Sequence, residues 1–166
     1  MIRRYRILAD RIRHELTLLG EVVQQCVDAM ERVEQNPPDR DFYVAAAALH
    51  LHDFYSGLER LFEMIASEID ETVPRGGSWR RELLTQMTIL LTDVRPAVLT
   101  RETAQCLDEY LRFRHVVRNV YALHLDAERV GTLAAGLRST YERVREELEE
   151  FGRFLGRLGQ ADEEEV

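Results

Sequence analysis

Apolar positions recur every three or four residues from one end of this chain to the other, the spacing of amphipathic helices. In the first segment Leu8, Ile12, Leu16, Leu19, Val23, Cys26, Met30 and Val33 step by 4, 4, 3, 4, 3, 4 and 3. They form one stripe of about seven turns. Asn36-Pro37-Pro38-Asp39 ends it, because proline lacks the N–H that the helical ladder needs. Asp39 or Asp41 can cap a second helix from about Asp41 to about Asp70, whose first half carries the small-residue run Ala45-Ala46-Ala47-Ala48. Val73-Pro74-Arg75-Gly76-Gly77-Ser78 reads as a loop. Ser78 is then expected to cap a short third helix from Trp79, with Glu82 complementing the helix dipole. Pro96 interrupts the next stretch, and Thr100 caps a fourth helix running to about Leu123. Leu125-Asp126-Ala127-Glu128 breaks the pattern, with Asp126 as the next cap. In the last helix Val130, Leu133, Leu137, Tyr141, Val144, Leu148, Phe151, Leu155 and Leu158 again alternate steps of 3 and 4.

The pattern predicts an all-α fold, an antiparallel bundle of four long helices and a short one. No repeat or linker divides it, so residues 1–160 form a single domain, followed by an acidic tail over 161–166 in which Asp162-Glu163-Glu164-Glu165 is expected to fray.

Composition narrows this further. A chain of 166 residues suits one domain with a substantial core. Four prolines and nine glycines, five of them at or beyond Gly131, are too few turn formers for an all-β fold. No apolar run approaches the ~18 residues of a membrane span, which argues against an integral membrane protein. The net charge of −8 excludes a whole-surface basic footprint, so any nucleic-acid contact must be a local patch. All 22 basic residues are arginine. Lysine Schiff-base or nucleophile chemistry is therefore impossible, and every cation carries a planar fork suited to phosphate. Cys26 and Cys106 fit no CxxC pattern and read as small apolar core residues. With Met1-Ile2-Arg3-Arg4-Tyr5-Arg6 followed by no signal-type apolar core, they point to a reducing cytoplasm. Arg3, Arg4, Arg6, Arg11 and Arg13 oppose the first helix's dipole and read as either a solvated face or a binding surface.

Most site chemistries find no support. None of the five histidines follows a glutamate by three residues, and His14-Glu15 does not extend to HExxH. His50 and His52 would point ~200° apart on a helix and cannot chelate together. No metal and no cofactor is expected. Gly76-Gly77 lacks the phosphate-loop pattern, and there is no G-x-S-x-G elbow.

The unusual segment is Tyr110-Leu111-Arg112-Phe113-Arg114-His115-Val116-Val117-Arg118-Asn119-Val120-Tyr121, with three arginines and a histidine in seven residues and no acid among them. On a helix Arg114, Arg118 and Tyr121 share a face at i, i+4 and i+7, and His115 and Asn119 form the neighbouring ridge. Two readings are open. One is a solvated basic face, paired with Asp108, Glu109 or the Glu-rich last helix. The other is a local phosphate or RNA site, in which arginines hold a phosphodiester, a histidine moves a proton and a phenol orients the sugar.

This segment resembles the signature of HEPN domains (higher eukaryotes and prokaryotes nucleotide-binding), α-helical bundles of which many are metal-independent endoribonucleases marked by R-x4-6-H. Within them it is similar to the HepT-like toxins, with R-x4-H-x-Y. Arg114 falls on the arginine position, Tyr121 on the tyrosine and Asn119 on the histidine. Leu51-His52-Asp53-Phe54-Tyr55-Ser56-Gly57-Leu58-Glu59 and Ser78-Trp79-Arg80-Arg81-Glu82-Leu83-Leu84 also look like HepT-like segments, so the likeness extends from about Leu49 to Arg129.

The resemblance implies the toxin half of a toxin–antitoxin pair, a homodimer that cleaves RNA when a ribose 2′-hydroxyl attacks its own phosphodiester. Arg114 and Arg118 would bind the scissile phosphate. His115 would titrate, Asn119 would position the 2′-hydroxyl or a phosphate oxygen, and Tyr121 would assist RNA binding. Asn119 exchanges no proton near neutral pH, which puts catalysis in question. His115 one turn earlier, His124 in the second register Arg118-Asn119…His124, or a histidine from the dimer partner could substitute for it. HepT-like toxins are also paired with an MntA-type nucleotidyltransferase antitoxin that transfers AMP to the motif tyrosine, here Tyr121. The adduct would add charge and bulk beside Arg114 and Arg118. The rival implication is an inactive HEPN module that docks a nucleotidyltransferase or a nucleotide; a helical adaptor without nucleotide chemistry is a third. Tyr55, Glu59 and Trp79 are expected to pack the bundle.

Overall fold

The structure, a computed structural model, describes residues 2–119 and 124–164. Helix α1 (Ile2–Gln35) is followed by a 3-10 turn at Pro37–Asp39, α2 (Arg40–Glu68), the short α3 (Trp79–Met87), α4 (Arg101–Asn119) and α5 (Ala127–Glu164). These are the four long helices and one short helix of the periodicity. The α5 helix carries on to Glu164.

The apolar stripes decide the packing. In α1, Leu8, Ile12, Leu16, Leu19, Val23 and Cys26 are all buried, against α2 on one side and α5 on the other. The Cys26 thiol lies 3.7 Å from the Ala47 carbonyl, and Arg4 Nε donates to Glu68 at 2.6 Å, so α1 and α2 run antiparallel along nearly their full length. Tyr141 in α5 donates its hydroxyl to the Leu16 carbonyl at 2.8 Å. That contact needs Gly20, where a Cβ would stand 2.8 Å from the same hydroxyl. Helix α4 lies against α2 and α5, with the Tyr110 hydroxyl donating to the Leu133 carbonyl at 2.9 Å and the Phe54 and Tyr110 rings edge to face.

Side-chain caps explain the starts of α4 and α5. Thr100 accepts from the Thr103 N–H at 3.2 Å, and Glu147 of α5 accepts from the Thr100 N–H and from the Thr100 and Thr103 hydroxyls. Asp126 Oδ1 accepts from the N–H groups of Glu128 and Arg129. Ser78 differs from expectation. It occupies the cap position of α3 but its side chain makes no capping bond, and only its carbonyl takes the Glu82 N–H. Asp39 likewise holds the α2 cap position without a side-chain bond.

The connections around α3 are fixed by a buried charge. The Arg95 and Asp70 side chains are 0% and 2% exposed. Arg95 Nε and Nη2 donate to the two Asp70 oxygens at 2.5 and 2.7 Å. Its remaining donors go to the carbonyls of Ile89, Pro96 and Gln86, so the whole guanidinium fork is satisfied. Gln86 Nε2 donates to Asp70 at 2.6 Å and to the Thr72 carbonyl at 3.0 Å. The end of α2, the end of α3 and the turn before α4 are thereby tied at one point. Removing one partner of such a pair strands the other charge in the interior. Arg95→Met should lower unfolding stability by about 3–5 kcal/mol in urea melts; a loss below about 1 kcal/mol would show that the cluster does not hold these connections together.

Candidate active site on the α2, α3 and α4 face

The basic segment begins on the face of α4 that meets α2 and α3. Arg114 is half-buried and its Nε donates to Ser56 Oγ of α2 at 3.1 Å. His115 is exposed. Both line an open cavity of about 380 Å³. Arg80 and Arg81 reach it from the first turn of α3 and Arg112 from α4, while Gly77, Ser78 and Leu111 complete the wall.

Neighbouring arginines on α3 diverge, as successive helical residues must. Arg80 Nε donates to Glu59 of α2 at 3.2 Å, and its guanidinium carbon lies 4.2 Å from the centroid of the Trp79 ring. Arg81 turns to α4 and pairs with Asp108, which also accepts from Arg112 Nε at 2.8 Å. One carboxylate thus serves two guanidinium groups, and α3 is braced between its neighbours.

Glu59 is the least expected member. It is only 6% exposed, Oε1 takes the Arg80 bond, and among the described residues Oε2 has no hydrogen-bond partner. Burial raises its carboxyl above the ordinary range, and the Arg80 and Arg114 charges offset this only in part. Tyr55, buried one turn earlier, has its hydroxyl pushed up by burial first, then by the Glu59 and Asp108 charges, with Arg81 and Arg114 opposing. It is a core wall behind the site, as the sequence suggested. Glu59 and Ser56, by contrast, touch the arginines of the cavity. Their signal was present in the HDFYSGLE segment, where Ser56 and Glu59 share a face at i, i+3.

Other candidates stand apart. The backbone of Arg118 and Asn119 forms the last turn of α4, but their side chains lie outside the described residues, as does Tyr121 altogether. His124 is exposed in the connection before α5. Cys26 is a core residue, its thiol pushed up to about 12 by burial, whereas Cys106 is half-exposed with Arg143 Nη1 at 3.6 Å. Among the described residues no group of three or more His, Cys, Asp or Glu is placed to hold a metal ion, and no helix is long and apolar enough to cross a membrane.

The all-α bundle, with arginines and a histidine gathered at the junction of three helices, is consistent with a HEPN-type domain. The family described as HepT-like protein matches residues 46–155, from the first half of α2 to late α5, and the chain belongs to that family. A HEPN-type, toxin-related function follows in general terms. Comparison with curated proteins and with solved structures finds no match.

The raised Glu59 carboxyl has a consequence for stability. The folded chain holds a proton there more tightly than the unfolded chain, whose glutamates titrate near pH ~4.3. Wild-type stability from this group is therefore lost as pH rises through the folded value. Glu59→Gln lacks the charge, so its melting temperature relative to wild type should climb between about pH 4 and about pH 7. The opposite trend in paired thermal melts would mean that the Arg80 ion pair outweighs burial.

Proposed function

We propose that this chain is the ribonuclease toxin of a toxin–antitoxin pair, a metal-independent endoribonuclease acting as a homodimer in the cytoplasm. The observation that carries the reading is the pairing of Arg114 with His115 on one wall of an arginine-lined cavity, in a chain of net charge −8. Positive charge gathered in one concavity of an acidic protein suits a polyanion.

In this reading Arg114 and Arg118 hold the scissile phosphodiester. The ribose 2′-oxygen attacks phosphorus as the bond to the 5′-oxygen breaks. The 2′-hydroxyl proton is removed, a proton is delivered to the departing 5′-oxygen, and the products are a 2′,3′-cyclic phosphate and a 5′-hydroxyl. His115 is the titrating group, and Asn119 orients the 2′-hydroxyl or a phosphate oxygen through hydrogen bonds alone. Tyr121 assists RNA binding and accepts AMP from an MntA-type nucleotidyltransferase antitoxin, which blocks the next RNA phosphate by charge and bulk.

Asn119 at the histidine position favours one alternative, a HEPN module that has lost cleavage and docks a nucleotidyltransferase or a nucleotide. Purified protein incubated with RNA in EDTA separates the two. The nuclease leaves 2′,3′-cyclic phosphate ends, and His115→Ala slows it by about 10²–10⁴-fold while His124→Ala does not. The reverse pattern moves the active register to His124. RNA binding with no cleavage supports the docking module. Incubation with ATP and the nucleotidyltransferase should add AMP to wild type and not to Tyr121→Phe, read by intact mass; adducts on both would remove Tyr121 as acceptor.

A further inference from the structure

Arg80 differs from the other arginines of the cavity in how it is held. Arg81 and Arg112 share Asp108. Arg80 instead stacks 4.2 Å from the Trp79 ring centroid and gives only its Nε edge to Glu59, at 3.2 Å. A planar guanidinium gripped on one face and one edge has lost most of its rotamer freedom before any ligand arrives, while its terminal N–H donors remain for other partners. It lines the cavity beside Arg114 and His115.

Glu59 makes the arrangement expensive. A carboxylate 6% exposed, with one oxygen unpartnered, is a poor way to hold helices together, because well-packed apolar side chains do so without the desolvation cost. What this carboxylate provides is a fixed position for Arg80. The first turn of α3 adds to the effect. Gly77 and Ser78, just before that turn, line the cavity, and the Ser78 side chain leaves the helix start uncapped.

We infer that Arg80 is a phosphate-binding residue of this site, taking a backbone phosphate of single-stranded RNA next to the one at Arg114, and that Glu59 and Trp79 are the residues that position it. The inference rests on the RNA-binding part of the nuclease reading and not on cleavage.

The test is equilibrium binding of a short single-stranded RNA carrying 2′-O-methyl riboses, which cannot be cleaved, across a series of salt concentrations. Cleavage of the unmodified RNA is followed in parallel. Arg80→Ala should weaken binding about tenfold or more. It should also reduce the slope of log affinity against log salt by about 0.7, the share of one phosphate on a single strand. Glu59→Ala should do the same by releasing Arg80, whereas Glu59→Gln keeps an acceptor for Nε and should retain the wild-type slope. If Glu59→Ala does not fold, the Arg80→Ala and Glu59→Gln pair decides alone. An unchanged salt slope in Arg80→Ala overturns the inference even if affinity falls, since that loss would be structural. Wild-type protein that binds no RNA overturns it together with the nuclease reading. Wild-type protein that binds but does not cleave, with the slope reduced in Arg80→Ala, overturns only the cleavage and upholds Arg80.

Discussion

The buried pair of Arg95 and Asp70 is the constraint on which the placement of the site depends. Helix α3 has nine residues, too short to persist alone in water. Leu83, Leu84 and Met87 bury its inner face, but apolar contact is non-directional and does not fix the helix along its axis. Hydrogen bonds do. The Asp70 carboxylate and the Arg95 guanidinium bind the end of α3 through Gln86, and the carbonyl of Met87 takes the N–H groups of Val98 and Leu99 at 2.8 and 3.0 Å. With its C-terminal end pinned in this way, the first turn of α3 has one place to be, and Arg80 and Arg81 are delivered between α2 and α4.

Two kinds of buried charge therefore coexist, one in the connections beyond the ends of α2 and α3 and one between α2 and α3 themselves. The Asp70–Arg95 cluster is fully hydrogen-bonded and serves the fold. Glu59 is not fully satisfied and sits among groups that meet the cavity. Native proteins seldom leave a buried carboxylate oxygen unpaired, and where they do the position tends to serve something besides packing. The contrast separates architecture from chemistry without reference to any ligand.

Most of the architecture was legible in the sequence because it is written in periodicity. The 3 and 4 steps of α1 and α5 name their own buried faces, and Pro37, Thr100 and Asp126 mark where helices stop and start. The site was only half legible. Arg114 and His115 stood out through local charge density. Glu59 was read as a packing residue and Ser56 was assigned no role, because their partners lie 21 and 58 positions away and no spacing rule reaches that far. Ser78 was misread as a cap for a related reason. Residue type favours capping, but whether the hydroxyl turns to the helix depends on the loop that precedes it. The buried Arg95 was invisible, since an arginine after a turn gives no sign of the carboxylate waiting beneath it.

Asp108 has a further consequence. It is a counter-ion tethered within the site, engaging Arg81 and Arg112 at an effective concentration that free solutes, even at about millimolar levels, do not easily match. A small monoanion offers these guanidinium groups little that the carboxylate does not already supply. A polymer whose charges are spaced along one backbone engages several cations at once, and its second and third contacts come without a new encounter. Under the nuclease reading, an arginine cluster guarded in this manner would discriminate against small inorganic anions in favour of linear polyanions, a selectivity set by valence rather than by shape.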